Sequence, residues 1–360
     1  MCSAILEVST ATVDPDEYVQ ALMQWHFTAE TGSPYWLRRA RTLDFDPLTQ
    51  VRTFADLARF PNVVNEFRDL AIEDLIPRGL EGADREIAGI FESGGTTGTP
   101  KRFVMFERWM EFALGWDEFR YADLGPMNVL AIAPSGPHMF GEFATRRARR
   151  HRGVKFTVDL DPRWIKRSIA RGQTAEADRY AEHLIDQAAD ILATQSVGIL
   201  ITTPPLLERL SRRDELVKLV REKIRFICWS GAHMDADTRD IFQQEIFPDI
   251  ALVGLYGSTT ILGMSRERPV DPPDGPAVFD APSPYIAFRV VDPATGADVR
   301  YGERGQVVMN HLTKYALLPN NLERDLATKV EPLPGALGCA VSDVGPVTVF
   351  DDNAVIEGVY

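Results

Sequence analysis

The sequence is poor in cysteine: of 360 residues only Cys2, Cys228 and Cys339 carry thiols, far apart and without a CxxC pair. An odd, scattered set excludes a disulfide framework and argues against a zinc site. No apolar run approaches the ~18 residues of a membrane span. The opening stretch, MCSAILEVSTATVDPDE, has no basic segment and turns acidic early, unlike a signal peptide. Positive charge is also in deficit, with 39 Lys and Arg against 52 Asp and Glu, a net charge of −13. That sign leaves no global basic field for nucleic acid. These absences predict a cytoplasmic protein that binds neither membrane nor nucleic acid. What is present is ordinary for a globular chain: 45% hydrophobic and 25% charged residues. Collagen-like, low-complexity and disordered classes are thereby excluded. A chain this long buries a large core without staples, and its length suggests an enzyme with two or three domains or subdomains.

The first 80 residues read as helical, with Asp14-Pro15 opening an amphipathic segment to residue 29 and a short helix over 53–57. Short apolar runs follow at 87–91, 128–133, 154–160, 197–201, 224–229 and 250–255. Several are rich in Val and Ile, as strands are. Helical segments are expected at 107–121, 163–171, 174–193, 206–221 and 235–247. That alternation predicts an α/β fold whose largely parallel sheets are covered by helices on both faces. Beyond Gly257 the texture changes. Pro and Gly crowd residues 269–284, then 285–291, a turn at 292–296 and 306–310 read as antiparallel hairpin strands. We therefore divide the chain into a helical start and α/β core, 1–265, and a smaller β-rich subdomain, 266–360.

The strongest local signal is Ser93-Gly94-Gly95-Thr96-Thr97-Gly98-Thr99-Pro100-Lys101, directly after a strand-like run. Three glycines let backbone N–H groups approach an anion, four hydroxyls add donors and Lys101 adds a cation. This is chemistry for holding phosphate. It is not the GxxxxGK[ST] loop of P-loop kinases, because Pro100 stands where that loop needs glycine and no Ser or Thr follows the lysine.

These nine residues resemble the phosphate loop of the adenylate-forming superfamily, which reads roughly [ST]-[SG]-G-T-T-G-x-P-K. Further segments resemble it in the same order. Tyr256-Gly257-Ser258-Thr259-Thr260 resembles Y-G-x-T-E, and Ser230-Gly231-Ala232 resembles the turn that contacts adenine. Val291-Asp292-Pro293-Ala294-Thr295-Gly296 and Tyr301-Gly302-Glu303-Arg304-Gly305-Gln306 resemble V-D-P-x-T-G…G-E-x-G-E. Glu323-Arg324-Asp325-Leu326 resembles the segment whose Asp binds both ribose hydroxyls. The likeness covers roughly residues 50–360. The Arg-Asp-Leu form and Ser33-Pro34-Tyr35-Trp36 look most like the phenylacetate–CoA ligase branch.

The resemblance implies ATP (released as AMP) and Mg2+ as cofactors. Ser93, Gly94, Gly95, Thr96, Thr97, Gly98 and Thr99 would hold phosphates. Gly231, Ala232, Tyr256 and Gly257 would hold adenine, Thr259 the α-phosphate and Asp325 the ribose, with Asp343 as a weaker rival. Two departures matter. Thr260 replaces the acidic residue that helps hold the metal, so the metal ligand is unknown. Residues 351–360 look like the hinge before the family's mobile C-terminal lid, which implies a large domain without the lid and its catalytic lysine. Lys101 and Arg324 are the local cations that would replace that lysine.

Ligases shortened in this way resemble the aryl-acid adenylating proteins of phenazine (griseoluteate) and benzoxazole (nataxazole-type) biosynthesis. The implied activity is adenylation of an aromatic acid, such as 3-hydroxyanthranilate, followed by acyl transfer to a small amine or phenol in antibiotic biosynthesis. His138 and Phe140, in the loop after the second strand, are expected to line the acid pocket, with Ser230, Leu255, Ser258, Ile261 and Gly263 on its other wall. Rival readings are a non-adenylating module that binds acyl-adenylates and transfers the acyl group, and an aryl-CoA ligase whose lid another chain supplies. A homodimer is admitted. The basic run Arg146-Arg147-Ala148-Arg149-Arg150-His151-Arg152 reads as a solvated helix end, and Cys228 as a buried, inert thiol.

Overall fold

The computed structural model describes residues 2–9, 13–93, 99–118, 125–269, 275–347, 349–350 and 353–354. A four-residue α1 (Cys2–Ile5) precedes the first amphipathic helix. Asp14 caps that helix by accepting the N–H groups of Asp16 and Glu17, and Pro15 occupies the first turn. The result is α2 (Pro15–Phe27), followed by α3 (Pro34–Arg39) and α4 (Pro47–Gln50). The 53–57 segment is a 3-10 turn, Phe54–Arg59, closed by a Thr53/Asp56 capping box. This region docks on the C-terminal strands through backbone carbonyls. Tyr18 Oη donates to Leu312 O at 2.5 Å, Trp25 Nε1 to Lys314 O at 2.8 Å and Trp36 Nε1 to Leu317 O at 3.0 Å.

Strands β1 (Ile87–Glu92) and β2 (Arg102–Phe106) form an antiparallel hairpin of their own. The run at 87–91 thus corrects the parallel expectation. Ile87 and Ile90 are 47% and 38% exposed, so this strand is not covered on both faces as parallel strands are. Among the described residues the main sheet has 11 strands. Its parallel half comprises β3 (Val129–Ala133), β4 (Lys155–Asp159), β5 (Ile199–Thr202), β6 (Phe226–Trp229) and β7 (Ala251–Ser258), in the order β4-β3-β5-β6-β7. Every residue of β3, β5 and β6 is buried, as near-continuous apolar runs predict.

Its other half is antiparallel: β8 (Gly263–Glu267), β9 (Val278–Asp280), β10 (Ile286–Val291), β11 (Arg304–Leu312), β12 (Leu317–Val330) and β13 (Ala340–Pro346). The expected 285–291/306–310 hairpin is β10 and β11, paired Ile286 to His311 through Val291 to Gln306. The sheet runs through the expected division near residue 265, because β8 pairs with β9.

Helices α5 (Glu107–Glu118), α6 (Met139–Arg150), α7 (Pro162–Ala170), α8 (Thr174–Thr194), α9 (Pro204–Ser211), α10 (Asp214–Lys223) and α11 (Ala236–Ile241) lie between the strands. The segment expected as one helix at 206–221 is two, because Arg213 takes extended backbone and starts the second. The basic run at 146–152 is a solvated end only in part: Arg149, Arg150 and Arg152 are exposed, but the start of the run is held by the fold. Arg146 reaches Glu107 at 2.5 Å, Glu111 at 2.8 Å and Glu142 at 2.8 Å, and Arg147 is 1% exposed. Acidic residues of α5 and α6 clamp the run into the fold. Among the described residues no helix is long and apolar enough to cross a membrane.

The seam between the helical start and the sheet carries a pH dependence. His26 Nε2 lies 2.7 Å from Thr313 O, and His311 Nδ1 lies 2.5 Å from Ile261 O. Burial lowers both rings from 6.5 to about 4, against the opposing pull of these carbonyls. Both are neutral in the fold, whereas the unfolded chain protonates them near 6.5. Their contribution is intact above that pH and is lost as pH falls toward about 4. Melting temperature should therefore drop across that window. His26→Gln, which keeps a donor for Thr313, should make the drop shallower; an unchanged slope would contradict the assignment.

Candidate active site

Parallel sheets gather ligands at the carboxyl ends of their strands. Two turns meet there in this chain. Ser230-Gly231-Ala232 leaves β6, and Gly231 has φ +83°, a backbone that favours glycine. Beside it β7 ends at Tyr256-Gly257-Ser258. A Cβ on Gly257 would sit 2.3 Å from Gly263 O and 2.7 Å from Met264 Cα, so the close approach of β8 requires glycine. Ser230 Oγ donates to Leu255 O at 2.8 Å and locks the two turns together. Below them Glu267 accepts Gly254 N at 2.6 Å and pairs with Arg239.

Two adjoining cavities open over this floor, of about 170 and 380 Å3, the larger of a size that small-molecule sites have. Ser230, Gly231, Gly257, Arg324 and Asp325 line both. The smaller cavity adds Ala232, Leu255, Tyr256, His233, Asp343 and Lys166. Tyr256 Oη donates to Asp325 Oδ2 at 2.9 Å. Burial, then the Asp325 charge, pushes the phenol well above its ordinary value, so it stays a donor. Asp343 is bound by Arg304, which draws it into an ion pair at the cavity edge.

The larger cavity is walled by Ser93, Thr99, Lys101, His138, Phe140, Ser258, Thr259 and Glu323, among others. Ser93 and Lys101 close the neck of the β1–β2 hairpin: Ser93 N donates to Lys101 O at 3.0 Å, and Lys101 N to Ser93 Oγ at 3.1 Å. Gly94, Gly95, Thr96, Thr97 and Gly98 lie outside the described residues. Burial, then the nearby Arg163, lowers the His138 ring, which is therefore neutral near pH 7. Thr260 Oγ1 donates to Glu323 Oε1 at 2.5 Å, and Asn321 Nδ2 donates to the same oxygen at 2.7 Å. Asn321 is 2% exposed and its Oδ1 has no hydrogen-bond partner among the described residues.

With two exceptions, every described site residue expected from the sequence is part of this lining. Ile261 and Gly263 stand apart from it. Ile261 is fully buried and gives its carbonyl to His311, and a Cβ on Gly263 would meet Ile286 Cδ1 at 2.4 Å. Both belong to the packing behind the wall, where Met264 faces the cavity instead. Lys166, Glu323 and Asn321 were missed. The 163–171 segment signals an amphipathic helix, but nothing in its sequence says which cation turns inward. Cys228 is buried and its thiol is pushed up to about 11, consistent with an inert side chain.

No protein-family model and no curated protein matches the sequence. Solved structures match its fold. 2-Hydroxyisobutyryl-CoA ligase in complex with 2-HIB-AMP and CoA, in its thioesterification state, overlays with a TM-score of 0.60 at 19% identity, covering 91% of this chain and 66% of its own. An open conformation of that ligase gives 0.58 at 17% identity, over 94% and 76%. Its postadenylation state with 2-HIB-AMP gives 0.58 at 18% identity, over 91% and 65%. This chain spans about two thirds of the ligase or less in the first and last of these. Over the part that it spans, the chain has the mixed α/β fold of 2-hydroxyisobutyryl-CoA ligase.

Proposed function

We propose that this chain is an adenylate-forming ligase that activates an aromatic carboxylic acid with ATP. The observation that carries the reading is the pair of cavities sharing Ser230, Gly231, Gly257, Arg324 and Asp325 at the carboxyl ends of β6 and β7. The smaller would take adenosine. Its Gly231-Ala232 turn and Tyr256 face the base, and Asp325, oriented by the Tyr256 hydroxyl, accepts from the ribose hydroxyls. The larger would take the phosphates against Ser93, Thr99, Lys101 and Thr259, and the acid against His138, Phe140 and Ser258.

A carboxylate oxygen of the acid attacks the α-phosphorus. The bond to the β-phosphate oxygen breaks, pyrophosphate leaves with the electron pair, and the mixed anhydride of acid and AMP remains. Negative charge gathers at the transferring phosphorus, and Arg324 and Lys101 are the cations lining that space. A neutral His138 and the apolar Phe140 and Met264 favour a flat ring over a second charge at the acid end. A small amine or phenol then attacks the acyl carbon, loses its proton and releases AMP.

Mg2+ fits as an ion carried mainly by phosphate. No group of three His, Cys, Asp or Glu that could hold a metal occurs among the described residues. Glu323, with Asn321 beside it, offers the single carboxylate that such an ion needs. The ion would supply charge neutralisation on the phosphate oxygens. The likeness in its Arg-Asp-Leu segment supports kinship with the phenylacetate–CoA ligase branch.

The test is pyrophosphate release from ATP and Mg2+ against hydroxybenzoates, aminobenzoates including 3-hydroxyanthranilate, phenazine carboxylates and aliphatic acids. Release confined to one aryl class supports the reading. Release only with aliphatic acids overturns its aromatic half. Binding of AMP without release by any acid favours an acyl-transfer module.

A further inference from the structure

Helix α7 is fixed over the site on three sides. Asp161 caps it, accepting Arg163 N at 2.9 Å and Trp164 N at 3.1 Å. Arg163 reaches back to Glu92 Oε2 at 2.7 Å, beside the neck of the Gly/Thr loop. Ile165 and Ser168 are buried at 1% and 5% exposure against the core. Pro162 and Lys166, four residues apart, share one face of the helix. Pro162 lines the larger cavity and Lys166 the smaller.

Lys166 lines the cavity assigned to adenosine, but it lies beside Arg324 and Asp325, which both cavities share, so it stands where the two meet. The groups it faces are Arg324 and Asp325, with His233 and the Arg304-bound Asp343 on the same cavity. Asp325 is already engaged by Tyr256 Oη. Two cations thus converge on a floor whose shared carboxylate accepts a hydrogen bond from within the protein. A built site of this kind suits an anion entering from the ligand side.

Resting on the nucleotide reading above, we propose that Lys166 is a phosphate-binding residue, whose ammonium meets the anionic group of a bound nucleotide together with Arg324. Burial, then Arg324, lowers the Lys166 ammonium from 10.5 to about 7, against the opposing pull of Asp325. A phosphate arriving within ~4–6 Å favours the charged form and raises that value. Binding near neutral pH should accordingly draw a proton onto Nζ.

Calorimetric titration of the whole chain with AMP and with adenosine, in two buffers of different ionisation heat near neutral pH, tests this. Lys166→Met should weaken AMP about tenfold. Adenosine should change by less than about twofold, since it lacks the charged partner. AMP binding should take up part of a proton in the unaltered protein and less in Lys166→Met. Lys166→Arg should keep AMP affinity within about threefold yet lose the uptake, because guanidinium stays charged. Should Lys166→Met fail to fold, the Arg variant still tests the proposal through that uptake. Unchanged AMP affinity and uptake in Lys166→Met, or equal weakening of AMP and adenosine, would overturn it. Failure of the unaltered protein to bind AMP would instead overturn the nucleotide reading itself, and this inference with it.

Discussion

Arg324→Ala should lower acid-dependent pyrophosphate release by about a hundredfold to a thousandfold, the loss seen when one preorganised donor to a transition-state charge is removed. Arg324 lines both cavities, between the ribose side and the phosphate side. Its backbone is held in place independently of its side chain, since Arg324 O accepts Val347 N at 2.8 Å and its neighbour Asp325 pairs with Pro346. The deletion therefore removes charge without dismantling β12. The loss should fall mainly on kcat, because charge builds on the transferring phosphorus only as pyrophosphate departs. Lys101→Ala should act in the same direction. Full activity in both variants would remove these two cations from the chemistry.

Glu267→Ala should cost about 3–5 kcal/mol of stability, the range for breaking a buried ion pair from one side. Glu267 and Arg239 are 3% and 5% exposed. The carboxylate also accepts Gly254 N, inside β7, at 2.6 Å. Its removal strands a buried guanidinium and a buried N–H together. Denaturant unfolding measures the cost, and a change below about 1 kcal/mol would contradict it. The strand affected is the one that ends at Tyr256 and Gly257. Replacing both partners, Glu267→Leu with Arg239→Met, should be milder than the single change, because no charge is left unpaired.

Local chemistry was the legible part of this chain. Asp14-Pro15, the apolar runs of β3 to β7 and the 285–310 hairpin could be read because caps, buried strands and turns write themselves into neighbouring residues. The lining residues from the Ser230, Tyr256 and Asp325 segments could be read because each sits in a short motif. What stayed hidden depends on distant partners. The strand at 87–91 has the composition of a parallel strand, but its partner is the hairpin arm at 102–106. The basic run at 146–152 needs Glu107 and Glu111, more than thirty residues away, to become a clamp. Lys166 reaches Arg324 and Asp325 only through the packing of α7, and Thr260 meets Glu323 across a separation of 63 residues. No periodicity or spacing carries such pairings.

The most direct test of the proposed adenylation uses an aryl acid labelled with oxygen-18 in both carboxylate positions, incubated with ATP, Mg2+ and an amine acceptor. If the carboxylate attacks the α-phosphorus, one labelled oxygen bridges carbon and phosphorus and leaves in AMP when the acceptor takes the acyl group. The account predicts AMP carrying one oxygen-18, with unlabelled pyrophosphate. Product formed with unlabelled AMP, or with label in pyrophosphate or phosphate, would contradict it.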